Sequence, residues 1–333
     1  MITEHRDFQL RPYNTFGIEA RAAEFIDYTD ARDLSDIFPL AGVARWLHIG
    51  GGSNLLFTRD YDGLVLHSSA TGVEVVAEDD ETVDVRACAG LGWDDFVSMC
   101  VERGWTGAEN LSLIPGEVGA SAVQNIGAYG VEACDLIRRV ETFDTENRCH
   151  RTFEAAECGY SYRDSRFKHE KQYIVTHVTY RLSKRFKPDL SYGNLSSIFA
   201  GQEDRLTPAA LREAVIGIRR AKLPDPEVTG NAGSFFMNPV VSEDKYRQLL
   251  SDYPSMPAYK VAGGVKLPAG WLIDRCGWKG RSLGRAGVHP KQALVLVNLG
   301  GATAEDIMRL AATIEADVAD KFGVAIKPEV NYI

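Results

Sequence analysis

The chain has 333 residues, of which 45% are hydrophobic and 25% charged, and its formal net charge is −9. This composition is typical of a soluble globular protein with two or three cores. No run of lysine and arginine interrupts the acidic balance, so a nucleic-acid partner is not expected, because that affinity comes from clustered cations. A small anionic ligand stays compatible with the composition, since it needs only a few local cations.

The cysteines and the N-terminus exclude further classes. The six cysteines form no Cys-x-x-Cys pair and no metal-like spacing with the seven histidines, which indicates reduced thiols and no metal. The first eight residues lack the basic and apolar segments of a secretory signal. No apolar run approaches the ~18–20 residues that a membrane span needs. We therefore expect a cytoplasmic protein that does not enter a membrane.

The first two thirds of the chain predict mainly strands. Residues 21–70 are typical of short strands around one helix, and residues 73–76 and 82–87 predict a hairpin. Apolar residues at helical spacing from Trp93 to Val101 predict a helix that ends near Gly104. Two further alternating strands are expected over 137–143 and 173–182.

After residue 205 helical signals dominate. Thr207 and Pro208 predict the start of a helix that runs to about Lys222. Ser242 predicts a helix cap, and the capping-box pattern at Thr303 predicts a long helix that ends at Gly323. Between these helices, residues 293–297 predict an apolar strand. A last strand over 330–333 could pair with either core.

Two glycine-rich segments follow apolar runs. Gly50-Gly51-Gly52-Ser53-Asn54 allows successive backbone N–H groups to face one anion, although an ordinary tight turn explains this segment better when it is taken alone. It matches neither the G-x-G-x-x-G pattern nor a P-loop. A second set of glycines, at 116, 119, 127 and 130, lies among apolar residues together with Gln124 and Asn125. Close approach of the backbone to a flat ligand explains this second set better than turns do.

Two residues have the chemistry of a catalytic site. Arg163 lies among tyrosines and could bind an oxyanion or a carboxylate, although a structural pair with Asp164 fits as well. Ser234 lies between Gly233 and two phenylalanines. It could be a nucleophile, a proton donor or a turn residue, and the absence of a G-x-S-x-G elbow weakens the first alternative. A serine hydroxyl gives up a proton only to a very basic acceptor, such as an enolate.

Other candidate ligands have weak signals on their own. Lys222 and Lys279 could bind phosphate, with Tyr192 and Asn238 as neutral donors, although isolated lysines are more often solvated. Glu329 alone would be read as an exposed carboxylate near the C-terminus.

Taken together, the motifs resemble the UDP-N-acetylenolpyruvoylglucosamine reductase family over nearly the whole chain. The matching segments are residues 13–18, 50–56, 114–116, 124–130, 162–165, 233–236, 266–274 and 328–330.

The resemblance implies an α+β fold with a vanillyl-alcohol-oxidase-type FAD-binding module. The module would consist of two α+β subdomains, residues 1–70 and 71–205, followed by an α/β substrate-binding domain over 222–322. Residues 324–333 would return to the second subdomain. The implied ligands are non-covalent FAD, NADPH as reductant and the substrate UDP-N-acetyl-3-O-(1-carboxyvinyl)-glucosamine. The expected protein is a monomer that makes UDP-N-acetylmuramate for peptidoglycan.

The resemblance also implies residue roles. Ser234 would protonate an enolate, and Arg163 and Glu329 would stabilise it, with Glu329 either protonated or hydrogen-bonded. Contacts with FAD are implied for Gly50, Gly51, Gly52, Ser53, Asn54, Pro115, Gly116, Gly119, Gln124, Asn125, Gly127, Tyr129 and Gly130. Contacts with the substrate are implied for Tyr192, Lys222, Asn238, Tyr259, Lys279 and Gln292.

Two alternatives stay open on sequence alone. Another flavin oxidoreductase of the same fold would keep both glycine segments but would have no use for Ser234 and Glu329. A nucleotide-sugar binding protein without activity would keep the fold and lose the flavin.

Overall fold

The computed structural model describes residues 1–40, 42–191, 195–201 and 205–333. The chain divides into two compact units. The first unit contains residues 1–8, 22–51 and 62–219, and the second contains 9–21, 52–61 and 220–333. Residues 9–21 and 52–61 therefore group with the C-terminal part of the chain, whereas the sequence placed them in a subdomain over 1–70.

Within the described ranges the strands are β1 (Ile2–Gln9), β2 (Arg21–Tyr28), β3 (Trp46–Ile49), β4 (Leu55–Leu56), β5 (Tyr61–Ser68), β6 (Val73–Glu78), β7 (Thr82–Cys88), β8 (Gly127–Ala128), β9 (Val131–Glu132), β10 (Ile137–Asp144), β11 (Cys149–Glu154), β12 (Tyr173–Ser183), β13 (Val240–Val241), β14 (Tyr259–Val261), β15 (Gly264–Lys266), β16 (Ser282–Leu283), β17 (Ala286–Val288), β18 (Leu296–Asn298) and β19 (Asn331–Tyr332). The α-helices in those ranges are α1 (Leu34–Ile37), α2 (Trp93–Glu102), α3 (Val118–Gln124), α4 (Arg166–His169), α5 (Leu195–Ile198), α6 (Pro208–Lys222), α7 (Glu243–Asp252), α8 (Ala269–Arg275) and α9 (Ala304–Phe322).

The first unit contains two larger sheets. One has the strand order β1-β2-β5-β3, and the other has the order β11-β10-β12-β7-β6. The predicted hairpin over 73–87 is the antiparallel pair β6 and β7. Helix α2 buries Trp93 and Phe96, and the Phe96 ring lies 4.7 Å from the ring of Tyr180 on β12. Full burial of an aromatic side chain contributes roughly 1.5–3 kcal/mol, so this contact anchors α2.

The second unit is built around α9. Thr303 and Asp306 form the predicted capping box, and Gly323 ends the helix with φ 61°. The apolar segment over 293–297 differs from the expected strand, since only β18 (Leu296–Asn298) forms. The reason is a turn in which the Val295 N–H donates to the Gln292 carbonyl oxygen at 3.1 Å.

The end of the chain also differs from expectation. Strand β19 pairs in parallel with β4, with Asn331 opposite Leu55. It therefore joins residues of the second unit and forms no strand pair with the described part of the segment 71–205. Since β4 directly follows the first glycine segment, this pairing brings the C-terminal segment near Asn54.

Two properties of the described residues bear on ligand classes. None of the helices found there has the length and apolarity to cross a membrane. No group of three or more histidine, cysteine, aspartate or glutamate side chains in the same ranges is arranged to hold a metal ion.

Candidate active site

In the first unit, the turn after β3 packs against the carboxylate of Glu117. A β-carbon added at Gly50 would lie 2.9 Å from Glu117 Oε2, and one added at Gly51 would lie 3.4 Å from Oε1. A side chain at position 50 would therefore displace this carboxylate, whereas one at position 51 would make only an ordinary contact with it. Glu117 itself is held by His67, whose Nε2 lies 3.2 Å from Oε1.

The second glycine segment serves two purposes. Gly116 has φ 113°, a conformation that favours glycine, and its carbonyl oxygen accepts from the Trp93 N–H at 2.9 Å. Gly119 has a packing role, because a β-carbon there would lie 2.8 Å from the β-carbon of Ala89. The sequence expected both glycines to contact a cofactor, and for Gly119 the visible reason is the close approach of α3 to Ala89.

Gln124 and Asn125, at the end of α3, differ in whether their side chains are available to a ligand. Oε1 of Gln124 is buried without a hydrogen-bond partner among the described residues. Asn125 is fully buried in the left-handed conformation, and its Nδ2 donates to Glu132 Oε2 and to the Ser161 carbonyl oxygen, each at 2.9 Å. Its Oδ1 accepts from the Cys134 N–H at 3.0 Å. Gln124 thus keeps an acceptor for a ligand, whereas Asn125 holds the loop together.

Arg163 occupies a tight turn. The N–H of Asp164 donates to the Ser161 carbonyl oxygen at 3.1 Å, and Arg163 itself has φ 55°, where glycine is the usual residue. Its Nη1 donates to the Asn125 carbonyl oxygen at 3.1 Å, and its Nη2 donates to the Gly127 carbonyl oxygen at 2.6 Å. These bonds fix the guanidinium beside the Gly127 backbone, where a β-carbon would lie 2.9 Å from Nη1.

Tyr129 and Gly130 complete this part of the first unit. Both have positive φ, 48° and 89°. The Tyr129 carbonyl oxygen accepts from Asn110 Nδ2 at 2.8 Å. The structure therefore brings Gln124, Asn125, Gly127 and Arg163 together through hydrogen bonds and chain continuity. The alternative of a pair between Arg163 and Asp164 is not what the structure has, because the Asp164 carboxylate bonds to His169 Nε2 at 2.8 Å.

In the second unit, Gly52 and Asn54 lie against two separate segments. A β-carbon at Gly52 would lie 1.9 Å from the Tyr13 carbonyl oxygen, and its φ is 63°. Ser53 is half-buried. Asn54 Nδ2 donates to the Glu329 carbonyl oxygen at 3.2 Å, and the Asn54 carbonyl oxygen accepts from the Asn331 N–H at 3.0 Å. The end of the first glycine segment is thus tied to the segment that carries Glu329.

Ser234 is exposed between buried neighbours. Gly233 has φ 67°, and its N–H donates to Asn231 Oδ1 at 3.0 Å. Phe235 is fully buried, and its N–H donates to the Leu294 carbonyl oxygen at 2.7 Å. The turn and the buried rings together present the Ser234 hydroxyl at the surface of the unit.

Glu329 lies on the segment paired with Phe235. Its N–H donates to the Phe235 carbonyl oxygen at 2.7 Å, and Pro328 forms a bridge with Phe236. Its side chain is half-buried. The reading of Glu329 as a solvated terminal carboxylate does not fit this position, which the backbone pairing fixes beside Ser234.

The substrate candidates in the second unit vary in their contacts. Asn238 Oδ1 accepts from the Ala269 N–H at 2.9 Å, and Gln292 Oε1 accepts from the Leu294 N–H at 3.3 Å. Lys279 Nζ lies 3.7 Å from Asp274 Oδ2. Tyr259 on β14 is half exposed, and Lys222 is the exposed last residue of α6. Tyr192 lies outside the described residues.

Sequence reasoning missed the side chains that support the first glycine turn. Asp27, His67 and Glu117 come from β2, from β5 and from the residue before α3. No local pattern connects three such distant residues. The only signal was the acidic residue inside the segment Ile114-Pro-Gly-Glu-Val-Gly-Ala120, where a glycine-rich anion site would not require one.

The residues of the first unit fit a flavin dinucleotide. A side chain at position 50 would displace the Glu117 carboxylate. The glycines at 50 and 51 leave the backbone of the turn without side chains, which suits a close approach of phosphate. The buried Oε1 of Gln124 is an acceptor that suits an imide or amine N–H. The Arg163 guanidinium adds a fixed positive charge on the same unit.

Comparisons with known proteins define the class. Residues 24–152 match the family model described as an FAD binding domain. Residues 225–333 match the model described as the C-terminal domain of UDP-N-acetylenolpyruvoylglucosamine reductase. The chain is thus an FAD-binding oxidoreductase with a separate C-terminal domain, which confirms the α+β fold expected from the sequence.

The individual relatives are full-length. The chain is 54% identical over 330 residues to UDP-N-acetylenolpyruvoylglucosamine reductase of Bacteroides fragilis, which covers 98% of this chain and 99% of the relative. It is 50% identical to the Chromobacterium violaceum reductase of the same name, over 97% of each chain. A crystal structure of the Thermus caldophilus reductase matches its fold with a TM-score of 0.70 at 21% identity, over 100% of this chain and 98% of that one. The chain belongs to the UDP-N-acetylenolpyruvoylglucosamine reductase family.

Proposed function

We propose that this chain reduces the enolpyruvyl ether of UDP-N-acetyl-3-O-(1-carboxyvinyl)-glucosamine to UDP-N-acetylmuramate, with NADPH as the electron source, as a cytoplasmic monomer in peptidoglycan synthesis. The full-length identity to reductases of this name supports the proposal most strongly. FAD held by the residues of the first unit would supply the hydride chemistry that connects NADPH with the double bond of the substrate.

The residues of the first unit bind and orient the cofactor. Gly50, Gly51 and Gly116 offer backbone for the diphosphate, and Gln124 Oε1 accepts a hydrogen bond from a ring N–H. Their support is the close contact of position 50 with Glu117, the positive φ of Gly116 and the buried Gln124 Oε1, which has no hydrogen-bond partner among the described residues. Backbone N–H groups in a nest stabilise phosphate oxygens without a lysine.

Hydride addition to the terminal carbon of the enol ether leaves negative charge next to the substrate carboxylate. Arg163 offsets this charge, because its guanidinium is held in place by two carbonyl oxygens. A preorganised donor at such a position is worth about 2.7–4 kcal/mol in comparable oxyanion sites. Glu329, held beside Ser234 by its own backbone, stabilises the same charge as a protonated or hydrogen-bonded carboxyl group.

Ser234 donates the proton that completes the reduction. The acceptor is a carbanion next to a carboxylate, which is basic enough to take a proton from an alcohol. The exposed hydroxyl on a rigid turn supports this role.

The remaining candidates bind the nucleotide sugar. Tyr192, Lys222, Asn238 and Lys279 contact its diphosphate, and Tyr259 and Gln292 contact its other parts. The hydrogen bond from the Ala269 N–H fixes the orientation of the Asn238 amide, which suits recognition of a defined oxygen.

Anaerobic spectroscopy of the purified protein tests the proposal. We expect a flavin absorbance that NADPH bleaches and that the enolpyruvyl sugar nucleotide restores. A flavin that is bleached by an alcohol or a sugar but not by NADPH would support another flavin oxidoreductase of this fold. Protein that releases no flavin on denaturation and takes up none from solution would support a binding protein without activity.

A further inference from the structure

Three ionisable side chains form a chain of contacts under the first glycine turn. His67 Nδ1 lies 2.7 Å from Asp27 Oδ1, and His67 Nε2 lies 3.2 Å from Glu117 Oε1. Only 10% of the His67 side chain is exposed. Ser69 Oγ donates to both Asp27 oxygens at 2.7 Å, so the first carboxylate is itself held in place.

The far end of this chain of contacts lies against the turn. Glu117 Oε2 lies 2.9 Å from the position that a β-carbon on Gly50 would take. Glu117 Oε1 lies 3.4 Å from the corresponding position on Gly51. The side chain of Glu117 is only 15% exposed. An uncompensated carboxylate there would repel a diphosphate that the same turn binds, since like charges a few Å apart interact strongly away from bulk water.

The protonation of His67 decides the charge beside the turn. Burial alone lowers the pKa of His67, but its hydrogen bonds to Glu117 and Asp27 outweigh burial, and the pKa is raised. Burial raises the pKa of Glu117, and the bond to His67 offsets only part of that effect. A further titratable group beside His67 is His48 on β3, whose pKa burial lowers to about 3 and which lies 2.8 Å from the Tyr28 hydroxyl on β2.

With both carboxylates ionised, Asp27, His67 and Glu117 together carry a net charge of about −1 when His67 holds its proton and about −2 when it does not. His48 stays neutral in both cases. A single proton on His67 therefore sets the charge next to the turn.

We propose that His67 is a positioning residue of the cofactor site: it holds Glu117 against the Gly50–Gly51 turn, and its proton offsets the charge of that carboxylate beside the FAD diphosphate. The inference rests on the proposed function in one respect, namely that this turn binds the diphosphate. It adds that the affinity for FAD falls when His67 loses its proton.

Titration of apoprotein with FAD between pH 6.5 and 9.5 at fixed ionic strength, followed by quenching of flavin fluorescence, tests this inference. For the wild type we expect Kd to rise with pH by about tenfold, the effect of one charge lost at roughly 6 Å with an effective dielectric of about 40. His67→Gln should bind with the high-pH Kd throughout. Glu117→Gln, which keeps the shape but removes one negative charge, should bind FAD at every pH at least as tightly as the wild type does at pH 6.5. His150→Gln, at an exposed histidine, should keep the wild-type slope.

A second readout tests the positioning directly. Gly50→Ala should weaken FAD binding in the wild-type background and should have little effect in a Glu117→Ala background, where the colliding carboxylate is absent. An equal loss in both backgrounds would show that Glu117 does not shape the turn.

The inference is overturned if the wild-type Kd is independent of pH, or if His67→Gln retains the wild-type slope. Thermal unfolding by circular dichroism shows whether each variant folds. If His67→Gln does not fold, Glu117→Gln decides, and a Kd at pH 9.5 equal to that of the wild type overturns the inference. Apoprotein that binds no FAD at any pH would overturn the proposed function as well, which separates the two failures.

Discussion

The backbone N–H of Glu329 donates to the carbonyl oxygen of Phe235 at 2.7 Å. This bond joins two distant segments one residue after Ser234, and the bridge between Phe236 and Pro328 continues the pairing. The buried rings of Phe235 and Phe236 anchor one side of the pair. The positions of Ser234 and Glu329 are therefore set by backbone bonds and buried neighbours, so that either side chain can be changed without removing what holds it.

Ser234→Ala should separate the two half-reactions. Flavin reduction by NADPH should stay near the wild-type rate, because the hydroxyl has no part in that step. Re-oxidation by the enolpyruvyl substrate should slow by about 10²–10⁴-fold, the usual contribution of a positioned general acid. Stopped-flow absorbance of the flavin measures both steps.

Two companion variants sharpen this experiment. Ser234→Cys retains a proton donor and should recover part of the re-oxidation rate. Ser251→Ala, on α7 in the same unit, should change neither step. Equal slowing of both half-reactions in Ser234→Ala would instead assign the residue a structural role.

Arg163→Lys should lose activity although the charge is kept. A lysine ammonium cannot donate in a fixed fork to the carbonyl oxygens of Asn125 and Gly127, as the guanidinium does at 3.1 and 2.6 Å. We expect substrate-dependent re-oxidation to fall by about 10²–10³-fold. The free energy of unfolding should fall by about 1.5–3 kcal/mol, since a hydrogen bond to a charged group is lost.

Arg138→Lys is the matched control for Arg163→Lys. Its side chain is 52% exposed and lies 3.6 Å from Glu154, so we expect less than about 1 kcal/mol in stability and normal kinetics. Wild-type re-oxidation by Arg163→Lys, measured in the same stopped-flow assay, would remove Arg163 from the mechanism.

A comparison of Gly52 with Gly17 measures the cost of placing a side chain against a neighbouring backbone. Both have φ 63°, but a β-carbon at Gly52 would lie 1.9 Å from the Tyr13 carbonyl oxygen, whereas nothing lies within 4 Å at Gly17. Gly17→Ala should cost only the backbone strain, about 1–2 kcal/mol. Gly52→Ala should cost more than about 3 kcal/mol or prevent folding. Urea denaturation compares the two, and equal losses would contradict the steric argument.

The helices and strands that the sequence predicted correctly are those with a local sequence pattern, such as a cap or a turn. Helix α9 begins at the Thr303 capping box and ends at Gly323, and α6 begins at Pro208, as the sequence indicated. The hairpin of β6 and β7 follows from alternation and a polar turn. The strand prediction for residues 293–297 was based on an apolar run, which indicates burial. Burial does not distinguish a strand from a turn, because hydrogen bonding with distant segments decides between them.

The site was predictable to the extent that single residues carry a signal. Glycine turns, a serine between glycine and aromatic residues, and an arginine among tyrosines can be seen in sequence. The contacts of Asp27, His67 and Glu117 cannot, because sheet pairing brings them together from three segments. Asn125 shows that a visible motif does not reveal what its side chain contacts. The motif predicts a cofactor contact, whereas the side chain bonds to Glu132, Ser161 and Cys134.

Glu109 should make stability depend on pH. It is 3% exposed, and its Oε1 is buried without a partner among the described residues, while Oε2 accepts from the Gly107 N–H at 2.8 Å. Burial raises its pKa, so the folded protein binds this proton more tightly than the unfolded chain. The resulting stabilisation is complete below the unfolded pKa of about 4.3 and is lost as pH rises through the raised folded pKa.

Glu109→Gln removes this titration and keeps an acceptor for Gly107. The free energy of unfolding of the variant minus that of the wild type should therefore increase between pH 4.5 and pH 8. Urea denaturation at several pH values measures this difference. Glu102→Gln, at an exposed position at the end of α2, should give a difference that is flat with pH. A flat difference for Glu109→Gln as well would mean that the carboxyl group is solvated in the folded protein.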